Sequence, residues 1–354
     1  MSGGYLISGI QQIGLGVVDL EEAFRWCRRC FGMDIPVFDD AGEAPFMTRY
    51  TGGTVHSRRA VLAMNLQGGS GFEIWQFTSR PPQPPQREPE IGDLGILAAR
   101  IKARDLGRAH RYLRDSQVEV LTDVQPDPIG GRHFFLRDPW GRLFQVVEGE
   151  DWFARGRHAT GGPCGCLIGV READASLRLY RDVLGYDTVV YDREGSFADL
   201  EPLAGGRRRV RRVLLGHAAP RQGAFSRWLG ASRIELVQPL EGPLRRTYEG
   251  RCWGDPGFIH LCFDVRGMAS LRERCAAAGF PFTVDSASSF EMGEAAGRFA
   301  YVEDPDGTLI EFVETHRVAI AKRLGLFLDL RRRDPKRPLP GLLLRGLALN
   351  RVRD

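Results

Sequence analysis

The feature that most constrains this chain is that it repeats itself. FLRDPWGRLFQVVE (135–148) matches YVEDPDGTLIEFVE (301–314) almost residue for residue: Asp-Pro-x-Gly-x-Leu, then an alternating strand. GFEIWQF (71–77) aligns with SRIELVQ (232–238), and IGLGVVDLEEAFRWCRRCFGMD (13–34) with LIGVREADASLRLYRDVLGYD (167–187). Each member of that last pair reads as a short strand, an amphipathic helix, and a glycine before the next strand. FIHLCFDVRGMASLRERCAAAGF (258–280) and GILAARIKARDLGRAHRYLRDSQ (95–117) open two more units in the same way. Four strand–helix–strands units therefore follow one another, arranged as two tandem halves.

The breaks agree with that division. SRPPQPPQREPEIGD (79–93) is proline-rich and reads as extended, joining the first two units. GEDWFARGRHATGGP (149–163) separates the halves, which gives an N-terminal domain over 5–150 and a C-terminal domain over 160–316. The remainder, 317–354, reads as a basic helical tail: a helix from Val318 to Leu330, then PGLLLRGLALNRV as a short amphipathic end-helix.

Composition excludes several classes. With 43% hydrophobic and 27% charged residues, the chain is that of a globular protein. No apolar run approaches the roughly 20 residues that span a bilayer, and the opening residues lack the pattern of a secretion signal. Seven cysteines spread over 354 residues argue against a disulfide framework. A cytoplasmic protein with reduced thiols is expected. The basic run Arg207 to Arg212 lacks interleaved aromatics, so it reads as a solvated strand rather than a nucleic-acid surface. No nucleotide-binding glycine loop or nucleophile elbow is present.

One residue sits badly in this pattern. Alternation after the second Asp-Pro turn puts Glu311 on a strand whose two faces are both largely apolar. A buried carboxylate must be neutralised, paired or bound to a cation. Four such units, each closing on Asp-Pro-x-Gly-x-Leu-x-Glu/Gln or its strand equivalent, resemble the vicinal oxygen chelate superfamily, which holds glyoxalase I, extradiol and 4-hydroxyphenylpyruvate-type dioxygenases, epimerases and bleomycin-resistance proteins. The resemblance covers roughly residues 7 to 316. It implies an α+β fold of four βαβββ modules, paired into two glyoxalase-like cupped-sheet domains, with metal ligands on the first and last strands of paired modules.

Carried over by position, the resemblance offers Gln12, Ile96, Gly165 and His260 on the first strands, and Glu73, Gln145, Glu235 and Glu311 on the last. The first half, offering Gln12, Glu73, Ile96 and Gln145, is a poor metal site, having Ile96 where a ligand belongs. The second half offers Glu235, His260 and Glu311, with Gly165 in the remaining place. The resemblance then implies a divalent ion (Fe, Mn, Zn, Ni or Mg) held by His260 and Glu311, with Glu235 as ligand or general base. It would act on a small molecule with adjacent oxygens by enolate-type proton transfer, as a lyase, isomerase or epimerase. An Fe(II) dioxygenase and a non-enzymatic antibiotic-binding protein are the alternatives, and a homodimer is compatible with either. Trp75, Trp140, Trp253, Phe134 and Phe299 could line a groove, and His56 and His133 could reach a cleft. Cys27 and Cys30 lie within a helix and read as ordinary thiols.

Overall fold

In the computed structural model the described residues are 4–149, 151–287, 290–292, 295–321 and 325–352. The four modules are present. The first holds β1 (Leu6–Gly16), α1 (Leu20–Phe31), β2 (Ile35–Glu43), β3 (Ser57–Met64) and β4 (Gly71–Phe77). The second holds β5 (Gly95–Ala103), α2 (Leu106–Asp115), β6 (Glu119–Val120), β7 (Gln125–Pro126), β8 (Arg132–Arg137) and β9 (Leu143–Glu148). β10 (Thr160–Gly169), α3 (Ala173–Tyr180), β11 (Thr188–Gly195), β12 (Val210–Gly216), α4 (Ser226–Leu229) and β13 (Arg233–Pro239) form the third. The fourth holds β14 (Gly257–Arg266), α5 (Met268–Ala277), β15 (Val284–Asp285), β16 (Phe290–Met292), β17 (Ala295–Glu303) and β18 (Leu309–Ala321).

The recurring turn has a local cause. Asp138 accepts hydrogen bonds from the backbone N–H groups of Trp140 and Arg142 at 3.0 and 2.8 Å, and Asp304 does the same for Asp306 and Thr308. Gly141 and Gly307 supply the positive φ, 86° and 88°, that closes each turn onto β9 and β18. Asp19 and Asp105 likewise cap α1 and α2 through the N–H groups of Glu22 and Arg108.

The modules do not pair as consecutive halves. β1 lies antiparallel to β14, joining modules one and four in a ten-stranded sheet of order β15-β17-β18-β14-β1-β4-β3-β2. β10 lies antiparallel to β5, joining modules two and three in a nine-stranded sheet of order β11-β12-β13-β10-β5-β9-β8-β6. Within each module the first and last strands run parallel side by side. The last-strand position of every module therefore stands beside its own first strand. Helices α1, α2, α3 and α5 and the sides of both sheets that face them share one apolar core, in which Phe31, Phe72, Phe144 and Phe263 are buried.

The tail departs from expectation. The described residues between Val318 and Leu330 form mainly strand rather than the expected helix. The alternation of β18 continues to Ala321, and β19 (Leu326–Asp329) pairs back onto it, Val318 opposite Leu328. A β-branched run with an available edge partner favours a strand over a helix. The end-helix is present as α6 (Gly341–Arg345) followed by a 3-10 turn over Gly346–Asn350. Leu339, Leu344 and Leu347 bury themselves at the mouth of the ten-stranded sheet. Cys27 and Cys30 are fully buried free thiols in α1.

Candidate metal centre

The crossed pairing brings four of the eight positions together in the ten-stranded cup. Gln12 and Glu73 come from module one, His260 and Glu311 from module four. A ring nitrogen of His260 and one carboxylate oxygen each from Glu73 and Glu311 all lie within 4.8 Å of one another. His260 Nε2 stands 3.1 Å from Glu311 Oε2 and 3.3 Å from Glu73 Oε2, and Gln12 Nε2 stands 3.4 Å from Glu311 Oε2. All four residues are buried. Tyr301 approaches the other ring nitrogen, Nδ1, at 3.4 Å, and the Trp253 ring stacks near the imidazole.

These groups suit a cation better than one another. His260 Nε2 is sealed from solvent and close to two carboxylate oxygens, yet neither lies where it would complete a hydrogen bond. Gln12 Oε1 is also buried without a hydrogen-bond partner among the described residues. A carboxamide turned over presents its oxygen in place of its nitrogen, which puts Gln12 Oε1 among the other donors. One imidazole, two carboxylates and one carboxamide oxygen make a donor set for a divalent ion such as Zn, Mn, Ni or Fe. The residues therefore fit the metal that the resemblance implies.

Electrostatics point the same way. Burial alone would lower the His260 pKa, but the Glu311 and Glu73 carboxylates outweigh it and raise it. Burial pushes Glu311 up to about 7, with Glu73 adding to the rise and His260 opposing it. While these groups are protonated, protons occupy the place of the cation. Metal affinity should therefore climb as pH rises through 7 and level off once both groups are deprotonated. The expected slope below pH 7 is about tenfold per pH unit for each proton displaced, readable by metal titration between pH 5.5 and 8. An affinity flat across that range would contradict the site.

Glu235 is not at this centre. It lies in the nine-stranded sheet, where Arg212 Nε meets its Oε1 at 2.5 Å and Tyr191 donates to the same oxygen at 2.7 Å. Arg212 also holds both oxygens of Asp199 at 2.8 Å, and Asp199 lies 3.2 Å from His133 Nε2. Gln145 completes the cluster at 3.1 Å from His133 Nδ1. The expectation of a solvated basic strand fails at Arg212, which is fully buried. His133, in turn, is buried in this cup rather than on a loop surface.

Register explains the exchange. Leu62 stands opposite Glu73 and Leu214 opposite Glu235, so Arg212 occupies the place that Ala60 holds in the first cup. Arg100 stands beside Gln145 as Cys262 stands beside Glu311, so the second-module counterpart of His260 is Ala98, not Ile96. Ile96 instead lines a crevice at the seam of the two sheets. Gly165 cannot carry a ligand, because a Cβ there would lie 1.7 Å from the Arg233 carbonyl oxygen. The second cup instead holds the Arg212 guanidinium, and Leu167, Phe135 and Leu200 are buried in a separate apolar cluster. The pairing signal was absent from any single module. Arg212 was the one residue that could have warned against Glu235.

The expected groove residues divide. Trp75, Trp253 and Phe299 line a small opening beside Glu73 and Glu311, together with Tyr301, which was not among those expected, whereas Phe134 is core and Trp140 packs on Trp26. His56 sits just before β3 and meets Ser79 at 3.1 Å, away from the centre.

Four βαβββ modules closed into two cups, one of them carrying a candidate metal-ligand cluster on first and last strands, have the architecture of a glyoxalase-type protein. The chain belongs to the Glyoxalase/Bleomycin resistance protein/Dioxygenase superfamily, which matches residues 9–146 and 162–312. Among solved structures it resembles a putative dioxygenase from Bacillus subtilis subsp. subtilis str. 168, with 14% identity, TM-score 0.54, and 87% of this chain and 86% of that one covered. It also resembles glyoxalase I from Zea mays, with 14% identity, TM-score 0.50, and 86% and 92% covered. At that identity these likenesses establish the fold. No curated protein compared with the chain matches it in sequence. Among the described residues no helix is long and apolar enough to cross a membrane.

Proposed function

We propose that this protein is a metal-dependent enzyme that receives a small molecule through two adjacent oxygens and moves a proton at the carbon beside a carbonyl, as a lyase, isomerase or epimerase. The observation that carries this reading is the convergence of Gln12, Glu73, His260 and Glu311 in one buried cup. A divalent ion bound there would supply positive charge to oxygens that become anionic as the proton leaves. The ion would be held by His260 through Nε2, by the two carboxylates, and by the turned carboxamide of Gln12. Tyr301 beside Nδ1 would fix the ring so that Nε2 faces inward.

Glu311 is the residue that takes and returns the proton. Its carboxylate borders both openings of the centre, where a bound molecule would lie. The catalytic role expected of Glu235 passes to it. The dioxygenase reading is weaker, because its facial triad needs two imidazoles and one carboxylate, whereas this cluster has one imidazole and two carboxylates.

Hydrogen exchange tests the assignment. The metal-loaded protein should catalyse exchange of the carbon-bound hydrogen of an α-hydroxyketone with deuterated water. Glu311→Gln, which keeps a ligand oxygen, should retain metal and lose about 10²–10⁴-fold of that exchange. Retained exchange in that variant would remove Glu311 from the proton transfer.

A further inference from the structure

The wall of the same centre says what kind of molecule it can receive. A cavity of about 110 Å³ opens beside Gln12, Glu73 and Glu311. At ~10–15 Å³ per water-sized group, it accommodates a body of roughly seven to eleven heavy atoms. Its wall is drawn from four sources. Phe38, Leu62 and Met64 come from β2 and β3, and Val313 comes from β18. Phe225, Trp228 and Leu229 come from α4 and the residue before it, which belong to module three of the other sheet. Trp228 is anchored by its indole N–H to the Asn65 carbonyl at 3.2 Å. Val318 and Leu347 come from the extended last strand and the tail, beyond the residues that match the family.

Of the two arginines in this wall, Arg298 is ion-paired with Asp285 at 2.6 and 3.0 Å, and Arg317 packs on the Phe327 ring at 5.3 Å. An anionic body would lose much of its water against a wall that is mostly apolar. An aryl or branched alkyl body gains from the same wall.

Resting on the metal reading above, we propose that the substrate carries its adjacent oxygens on a small, uncharged, apolar body, and that α4 and the C-terminal tail select for it. Module three thus contributes a specificity wall to a centre whose ligands lie on modules one and four.

Calorimetric titration of the zinc-loaded full chain with 4-tert-butylcatechol and 4-sulfocatechol tests this. The two share a chelating head and differ in the charge of the body. After correction for the affinity of each for free zinc, the butyl compound should bind at least about tenfold more tightly. Trp228→Ala and Leu62→Ala, each with its zinc content verified, should weaken the butyl compound and leave the sulfonate little changed. Equal or tighter binding of the sulfonate to zinc-loaded protein would overturn the proposal while leaving the metal reading in place. A protein that takes up no zinc would overturn the metal reading itself.

Discussion

Replacing His260 by alanine should abolish tight divalent-ion binding while the chain stays folded. His260 supplies the one imidazole of the cluster, and its Nε2 stands within 3.3 Å of both carboxylates. Loss of residues that merely orient metal ligands costs about 10–100-fold in affinity, so loss of this ligand should exceed the upper figure. The fold should tolerate the change, since the backbone pairing of β14 with β1 and β18 does not depend on that side chain. Glu235→Gln and Gln145→Ala serve as controls from the other cup, and both should leave metal content unchanged. Metal analysis of the three purified variants decides the matter. Full metal in His260→Ala, or loss in Glu235→Gln, would mean that the ligands lie elsewhere.

The second large effect belongs to stability. Arg212→Met should destabilise the protein by about 3–5 kcal/mol, because it leaves buried carboxylates without their counter-charge. Glu235 and Asp199 are nearly inaccessible, and Arg212 bonds to both. Burial alone would raise the Glu235 pKa, but Arg212 and Arg100 outweigh it and lower it. Burial works against Asp199 too, and His133 and Arg212 together hold it low. Carboxylates depressed in the folded state contribute stability above their unfolded pKa of about 4 and lose it as pH falls through the folded values. The wild-type second cup should accordingly be acid-labile below pH 4. Exchanging Arg212 and Glu235 together for methionine should recover part of the loss, since an apolar pair of similar volume often replaces a buried ion pair at little cost. Urea unfolding monitored by tryptophan fluorescence reads all three proteins. A change under about 1 kcal/mol in Arg212→Met would show that this pair is not the cup's counter-charge.

The modules were legible because their signals are local. An aspartate accepting from two backbone N–H groups, and a glycine at positive φ, must be written into the turn itself. The ligand positions Gln12, Glu73, His260 and Glu311 were legible as positions for the same reason. Which modules share a cup was not. That choice rests on β1 meeting β14 and β10 meeting β5, contacts nearly 250 and about 65 residues apart that no window of sequence displays. The error at Glu235 follows directly, since its counter-charge comes from a neighbouring strand, 23 residues away along the chain. Carry-over by position put the second-module place at Ile96, when the strand register puts it at Ala98. The tail misled because Val318 to Leu330 carries enough leucines to read as helix, whereas the free edge of β18 rewards a strand.

Anomalous diffraction from crystals of metal-loaded protein tests the central claim most directly. One ion per chain should appear, bounded by Gln12, Glu73, His260 and Glu311, with none in the cup that holds Arg212. An ion against Glu235, or an empty first cup in protein loaded with stoichiometric metal, would contradict the account.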